Sequence, residues 1–234
     1  MTRLVAAIVR HGDYRQLPDT PSAHQPFPLS RKGETQALKG SQELRHQLEQ
    51  HQLTLHPHID SSQLLRAWQT ARIMIDDLHD VLPSEPKLCS YDAMAERCVG
   101  SAANLSIAQI ESIVREDPRF EDLPQDWKSN SHFRLPLQGA ESLMQAGKRV
   151  AEHLETQMAL LAESTSEDTV KLFVGHGAAF RHAAYHLGAL VFEDIRKLSM
   201  YHARPVLLEY RTNSAWKHIG GEWKVRGQNS LYTD

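Results

Sequence analysis

The stretch Leu4-Val5-Ala6-Ala7-Ile8-Val9-Arg10-His11-Gly12 decides the fold. Leu4 to Val9 is continuously apolar, the pattern of a strand buried on both faces of a parallel sheet rather than one with a solvated side. It stops abruptly at Arg10-His11-Gly12. A second segment repeats the design: Thr169 to Val174 is a buried-strand candidate ending at Gly175-His176-Gly177. Where helices cover both faces of such a sheet, ligands bind at the carboxyl ends of the strands. Two histidines flanked by glycine, each at a strand end, are therefore the observation from which a functional reading grows.

The segments around these strands alternate in type. A Pro-rich loop runs from Leu17 to Pro28, and Ser30 to Leu48 then reads as a helix capped by Ser30, with Ala37, Leu38, Leu44 and Leu48 on one side. Ile59 to Ser62 is a short strand candidate, and the segment from Leu64 through Leu78 is helical. Between Lys87 and Leu137 the pattern is irregular, broken by Pro118, Pro124 and Pro136. This stretch is read as an inserted, partly helical lobe, roughly residues 97–140, able to cover a site. Glu141 to Leu161 has the spacing of a long amphipathic helix, and Ala178 to Leu187 of a shorter one. Val206 to Tyr210 and Glu222 to Val225 are late strands, with Gly220-Gly221 as a turn. The alternation predicts an α/β fold, a three-layer α/β/α sandwich with a mostly parallel sheet, in a single domain over residues 1–234.

Composition narrows the function. Hydrophobic residues make up 41% and charged residues 24%, the balance of an ordinary soluble domain, and the formal net charge is −3. No basic field exists to hold nucleic acid or an anionic membrane, so any bound anion needs a local cluster of cations. Trp68, Trp127, Trp216 and Trp223 form no stripe on which bases would stack. No apolar run has membrane-spanning length, and Met1 to Arg10 leads into His11-Gly12-Asp13 without a small-residue cleavage site, so it reads as a strand and not a signal peptide. Cys89 and Cys98 have neither CxxC nor zinc spacing, which points to a reduced, cytoplasmic protein, with Cys98 expected to be buried. Among fourteen histidines, His182 and His186 lie one helical turn apart and His56 and His58 flank Pro57. There is no HExxH and no accompanying carboxylate cluster, so both pairs read as surface or core histidines and not as metal ligands. The phosphate loop GxxxxGK[ST], the GxSxG nucleophile elbow and a cysteine followed six residues later by arginine are all missing from the sequence.

What remains is histidine chemistry at strand ends. A neutral imidazole at His11 is a competent nucleophile toward phosphorus when its other nitrogen is fixed by a hydrogen bond. Arg10 supplies a planar fork of donors matched to phosphate oxygens, and its charge depresses the pKa of His11. Gly12 removes a side chain where backbone would approach an anion. Gly177 and Ala178 open the helix after His176, and N–H groups at a helix start suit an anion. His176 is placed to donate to phosphoryl oxygens as charge shifts. Arg66, early in its own helix, supplies a second guanidinium.

The sequence resembles the histidine phosphatase superfamily, also called the phosphoglycerate mutase-like family. Arg10-His11-Gly12 after a buried strand matches its RHG signature. Ser62-Gln63-Leu64-Leu65-Arg66-Ala67-Trp68-Gln69-Thr70-Ala71 resembles its second block, and Glu96-Arg97, with Gly100 and Asn104 following, the block carrying its acidic proton donor. Gly139-Ala140-Glu141-Ser142-Leu143 resembles the Gly-Glu-Ser-Leu helix start with one residue inserted, and Gly175-His176-Gly177 the second-histidine block. The blocks stand in the family order from Leu4 to about Gly188.

The resemblance implies a three-layer α/β enzyme that works without a metal or any other cofactor. His11 would become a phosphohistidine while Arg10, Arg66 and His176 hold the phosphoryl oxygens. Glu96 would act as general acid and then general base, with Asp92 as the fallback acid. The first loop departs from the pattern: Asp13-Tyr14-Arg15-Gln16-Leu17 lacks the family's phosphoryl-contacting Asn, leaving Arg15 and Gln16 as candidate substrate contacts. The double arginine with which mutases bind a carboxylate is also missing between Glu111 and Pro136, which favours hydrolysis of a phosphomonoester over a phosphoglycerate mutase reaction. A catalytically silent scaffold for phosphorylated ligands is the alternative of another class. Substrates compatible with the sequence are a phosphorylated small molecule or a phosphoprotein, and the oligomeric state stays open. Ser142 is expected to cap its helix and Arg181 to serve packing or an ion pair.

Overall fold

The computed structural model describes residues 2–21 and 23–227. The chain runs through β1 (Leu4–Arg10), α1 (Arg31–His51), β2 (Thr54–Leu55), β3 (His58–Ser62), α2 (Leu65–Asp77), β4 (Lys87–Tyr91) and α3 (Ile107–Glu116). It continues through α4 (Leu143–Ser164), β5 (Thr169–Gly175), α5 (Gly177–His186), α6 (Phe192–Ile195), β6 (Leu198–Met200), β7 (Pro205–Glu209), β8 (Lys217–Gly220) and β9 (Trp223–Val225). A seven-stranded sheet has the order β4-β3-β5-β1-β7-β8, with β2 pairing β5 to the side, while β6 and β9 form a separate antiparallel pair. The pairings among β1 to β5 are parallel, and β7 runs antiparallel to β1 and β8.

Alternation along β1 builds the layers, because successive side chains on a strand point to opposite faces. Leu4, Ala6 and Ile8 join Val150, Leu154 and Met158 of α4 and Phe180 and Ala183 of α5. Val5, Ala7 and Val9 join Leu44 and Leu48 of α1 and Ala67, Ala71 and Met74 of α2 on the other side. The result is the expected α/β/α sandwich with a mostly parallel sheet. Within residues 97–140 a separate small core gathers Val99, Ala102, Ile110, Trp127, Leu135 and Ala140, joined by Ala23 from the first loop.

Local chemistry sets the helix ends. Ser30 accepts the Gly33 N–H at the start of α1, and Ser142 forms a reciprocal capping box with Gln145 at the start of α4. Four strands escape the sequence pattern, and β2 is only two residues long. β4 is a half-buried edge whose residues show no clean alternation, and β6 and β8 are only three and four residues long.

Lys171 lies on the wholly buried strand β5 and needs a counter-charge there. Asp60 on β3 provides it, 3.0 Å from the Lys171 ammonium, and also pairs with His153 Nε2 at 2.9 Å. The Tyr91 ring covers His153 at 4.5 Å.

Helices α4 and α5 touch at Gly147, where an added Cβ would run into the backbone and Cβ of His182. Gly147→Ala is therefore expected to lower stability by ~1–3 kcal/mol, the cost of overpacking, as read from urea unfolding. An unchanged midpoint would show that the two helices can separate freely.

Candidate active site

Parallel pairing of β1 with β5 brings Arg10 opposite Gly175, and the His11 N–H donates to the Gly175 carbonyl at 2.9 Å. His11 and His176 thus leave neighbouring strand ends together, with ring centroids 5.1 Å apart. Both are almost wholly buried, at 2% and 1% exposure. The glycines around them answer to packing. The Gly12 N–H goes to Thr70 Oγ1 at 3.0 Å, and a Cβ there would press on the Gly33 backbone of α1. A Cβ at Gly177 would come within 2.9 Å of Arg10 Cδ, so this glycine lets Arg10 lie across the start of α5.

Hydrogen bonds define both imidazole tautomers, because guanidinium nitrogens only donate. Arg66 Nε–H reaches His11 Nε2 at 3.1 Å, so that nitrogen carries a lone pair, and His11 Nδ1–H donates to the Gly12 carbonyl at 2.7 Å. Arg66 Nη2 lies 3.3 Å from His176 Nδ1, leaving His176 Nε2–H to donate to Ser62 Oγ at 2.9 Å. Burial holds the pKa of each ring well below the usual 6.5, and the Arg66 cation deepens the effect. Arg10 adds to the depression at both rings.

Arg66, the second residue of α2, is fully buried. Its Nη1 donates to the Gln25 carbonyl and its Nη2 to the Ala23 carbonyl, both at 2.8 Å, and its guanidinium lies 4.5 Å from the Tyr14 ring centroid. Burial lowers its pKa, while Tyr14 and Glu96 act in the opposite direction. Arg10 Nη1 is anchored on the Met200 carbonyl at 3.1 Å.

Glu96 is buried, with Oε1 accepting the Arg97 N–H at 2.9 Å. Its segment is braced from two sides. Arg149 forms a two-pronged pair with Glu141 at 3.0 and 2.8 Å and donates to the Ala93 and Ala95 carbonyls at 2.9 and 3.1 Å. Glu141 accepts the Cys98 N–H at 3.1 Å, and His24 Nε2–H donates to the Glu96 carbonyl at 3.0 Å from the first loop. Asp92 is exposed at the start of a short 3-10 turn.

The structure brings His11, Arg10, Arg66 and His176 together and buries Glu96 beside them, its charge acting on Arg66. It does not bring Arg15 or Gln16 into this cluster: both are exposed, and Gln16 Nε2 donates to the Thr20 carbonyl at 3.0 Å. The first-loop side chain that does join is Tyr14, its ring 5.3 Å from that of His11. His24 and His202 also border the site, and neither stood out in the sequence because nothing in an irregular loop or a turn gives a periodic signal. Gly177 and Ala178 form the first turn of α5, and the Ala178 carbonyl accepts from His182 Nδ1–H at 2.7 Å.

Cys98 is half-buried rather than buried, because its Sγ sits on the turn where it accepts the Gly100 N–H at 3.3 Å. Arg181 is buried and donates to the Leu198 carbonyl at 2.9 Å. His182 is held down to about 3 by burial, with Nε2 at 3.0 Å from Ser131 Oγ, whereas His186 Nε2 donates to the Met144 carbonyl at 3.1 Å. His56 and His58 engage each other locally, with the His58 N–H donating to His56 Nδ1 at 3.2 Å. Among the described residues no group of three or more His, Cys, Asp or Glu is placed to hold a metal ion, and no helix is long and apolar enough to cross a membrane.

Comparison with known proteins agrees with this layout. The sequence profile of the histidine phosphatase superfamily (branch 1) matches residues 6–218. A structure titled mycobacterial hydrolase 1 superposes with a TM-score of 0.67 at 20% identity, covering 94% of this chain and 97% of that one. A mycobacterial glucosyl-3-phosphoglycerate phosphatase gives a TM-score of 0.65 at 20% identity over 97% of each chain. The α-ribazole phosphatase of Shigella flexneri gives 0.64 at 18% identity over 98% of each chain. No curated protein sequence matches the chain.

The neutral rings give stability a pH dependence with a definite sign. His11, His176 and His202 all have lowered pKa values in the folded chain, His202 at about 4, whereas unfolded histidine titrates near 6.5. Their contribution is complete above pH ~6.5 and is lost as the pH falls below it, because the unfolded chain takes up protons that the folded chain refuses. Urea stability should therefore decline as the pH falls below ~6.5, and ¹⁵N spectra should show a His11 ring that is still neutral where a free imidazole is half protonated. A His11 ring titrating near 6.5 in the folded chain would contradict the arrangement.

Proposed function

The chain belongs to the histidine phosphatase superfamily, and from that premise we propose that it hydrolyses a phosphomonoester through a phosphohistidine on His11, with Glu96 as general acid and base. The observation that carries this reading is the bare Nε2 of His11, fixed by the opposite Nδ1–H bond and surrounded by donors. In the first step Nε2 forms a bond to phosphorus as the bond from phosphorus to the ester oxygen breaks, and Glu96 gives that oxygen its proton. In the second, water attacks phosphorus, the phosphorus–nitrogen bond breaks, and Glu96 recovers a proton from the water. One group serves both steps, as microscopic reversibility requires.

Arg10, Arg66 and His176 carry the charge that builds on the phosphoryl oxygens. The Arg66 Nε–H that rests on His11 Nε2 passes to a phosphoryl oxygen when phosphorus takes that position. These fixed donors neutralise the phosphoryl group in the role that a metal ion has elsewhere. Two of the superposed structures carry phosphatase titles, which supports hydrolysis over transfer to a second hydroxyl. Burial of all the reacting groups supports a phosphorylated small molecule, since a protein chain would have to enter beneath the first loop.

Hydrolysis of p-nitrophenyl phosphate in EDTA tests the reading, with His11→Ala and Glu96→Gln beside the intact chain. Turnover should survive the chelator and disappear in His11→Ala, and an acid-labile, alkali-stable phosphoryl group should be trapped on the intact enzyme. Glu96→Gln should lower kcat/KM on an alkyl phosphate by a factor on the order of 10². The loss should be smaller on p-nitrophenyl phosphate, whose leaving oxygen needs little protonation. Turnover that depends on a metal, or that persists without His11, would sink the mechanism.

A further inference from the structure

A turn between β6 and β7 carries an imidazole that the proposed mechanism does not use. Three hydrogen bonds clamp this turn to the end of β1: Arg10 Nη1 to the Met200 carbonyl at 3.1 Å, the Ala203 N–H to the Arg10 carbonyl at 2.7 Å, and His202 Nδ1–H to the His11 carbonyl at 2.8 Å. Ala203 accepts a left-handed backbone, φ 57°, to make its bond. Residues with a Cβ adopt that region only at a cost, and such outliers concentrate where a site needs them. The outcome is a His202 ring 5.7 Å from the nucleophile's ring. Its Nε2 has no partner among the described residues and is not sealed from solvent.

We propose that His202 recognises the leaving group, its Nε2 accepting a hydrogen bond from a substrate hydroxyl, so that esters of sugars or other polyols are preferred to hydroxyl-free or carboxylate-bearing esters. This rests on the phosphatase reading above. With Nδ1–H given to the His11 carbonyl, a neutral ring has only a lone pair to offer at Nε2. The ring is neutral at physiological pH because burial first, and the Arg10 cation second, hold its pKa down to about 4. Lys32 acts in the same direction, whereas the bond to His11 and the Asp13 carboxylate oppose it. Phosphoryl oxygens are acceptors and belong to the guanidiniums. A carboxylate on the leaving group would meet the Nε2 lone pair with Asp13 nearby, whereas a hydroxyl proton satisfies both. A site whose acceptor is left unpaired by the wrong substrate discriminates more strongly than an apolar wall does.

His202→Asn isolates the effect, since its amide can still donate to the His11 carbonyl while the Nε2 acceptor is gone. The quantity to measure is the ratio of kcat/KM for glycerol phosphate to that for phenyl phosphate, with 3-phosphoglycerate as a third ester. The ratio should fall about tenfold in His202→Asn, the worth of one hydrogen bond, and 3-phosphoglycerate should gain relative to glycerol phosphate. His202→Ala should lower the ratio similarly, and a shared loss on all esters in His202→Ala alone would report only the lost clamp. An unchanged ratio in His202→Asn, or an intact enzyme that prefers 3-phosphoglycerate, overturns the proposal. A chain that turns over no ester overturns hydrolysis instead, and the same ratio taken from calorimetric dissociation constants then decides the role of His202.

Discussion

Everything at this site descends from one backbone hydrogen bond, the His11 N–H to the Gly175 carbonyl, which extends the β1–β5 ladder one residue past the strands. In a parallel ladder, register is set by the pattern of buried side chains. Leu4 to Val9 and Thr169 to Val174 are buried along their length, so a slip would expose apolar residues of both strands. The same burial that drives folding therefore holds two imidazoles at a 5.1 Å separation. No side chain near the reacting atoms has to choose this geometry.

Charge is then concentrated on one residue. Arg66 spends its donors on two first-loop carbonyls and on both histidines, so a single buried guanidinium links the loop, β1 and β5. A buried cation is costly unless it is well hydrogen-bonded, and here four acceptors and the Tyr14 ring surround it, set against the Arg10 charge. Burial first and this cation second keep the imidazoles neutral, which is the state a nucleophile needs. Fold stability and reactivity draw on the same bonds.

The strands with continuous apolar runs, the helices opened by Ser30 and Ser142, and the histidines at strand ends were all legible because each leaves a local mark: period, cap or glycine. The lobe was legible only as a failure of pattern. Tyr14, His24 and His202 were not, since a loop residue reaches the site through the path of its backbone and no spacing rule describes that path. Arg15 and Gln16, the expected substrate contacts, follow Tyr14 in sequence and lie exposed outside the histidine cluster. At Gly12 the missing side chain lets the β1 end approach the α1 backbone closely, a packing demand no local pattern announces. A short strand such as β6 is defined by its partner, here β9, more than by its own residues.

The Asp60–His153–Lys171 group bears on how this sequence can change over generations. Asp60 is only 1% exposed, and replacing Asp60 or Lys171 alone with an apolar residue leaves the other charge buried without its ion-pair partner, a loss of about 3–5 kcal/mol, whereas replacing both together is often neutral. Substitutions at Asp60 and Lys171 are therefore expected to be strongly epistatic. A route from the charged to the apolar version must therefore change Asp60 and Lys171 together, since either change alone leaves the other charge buried.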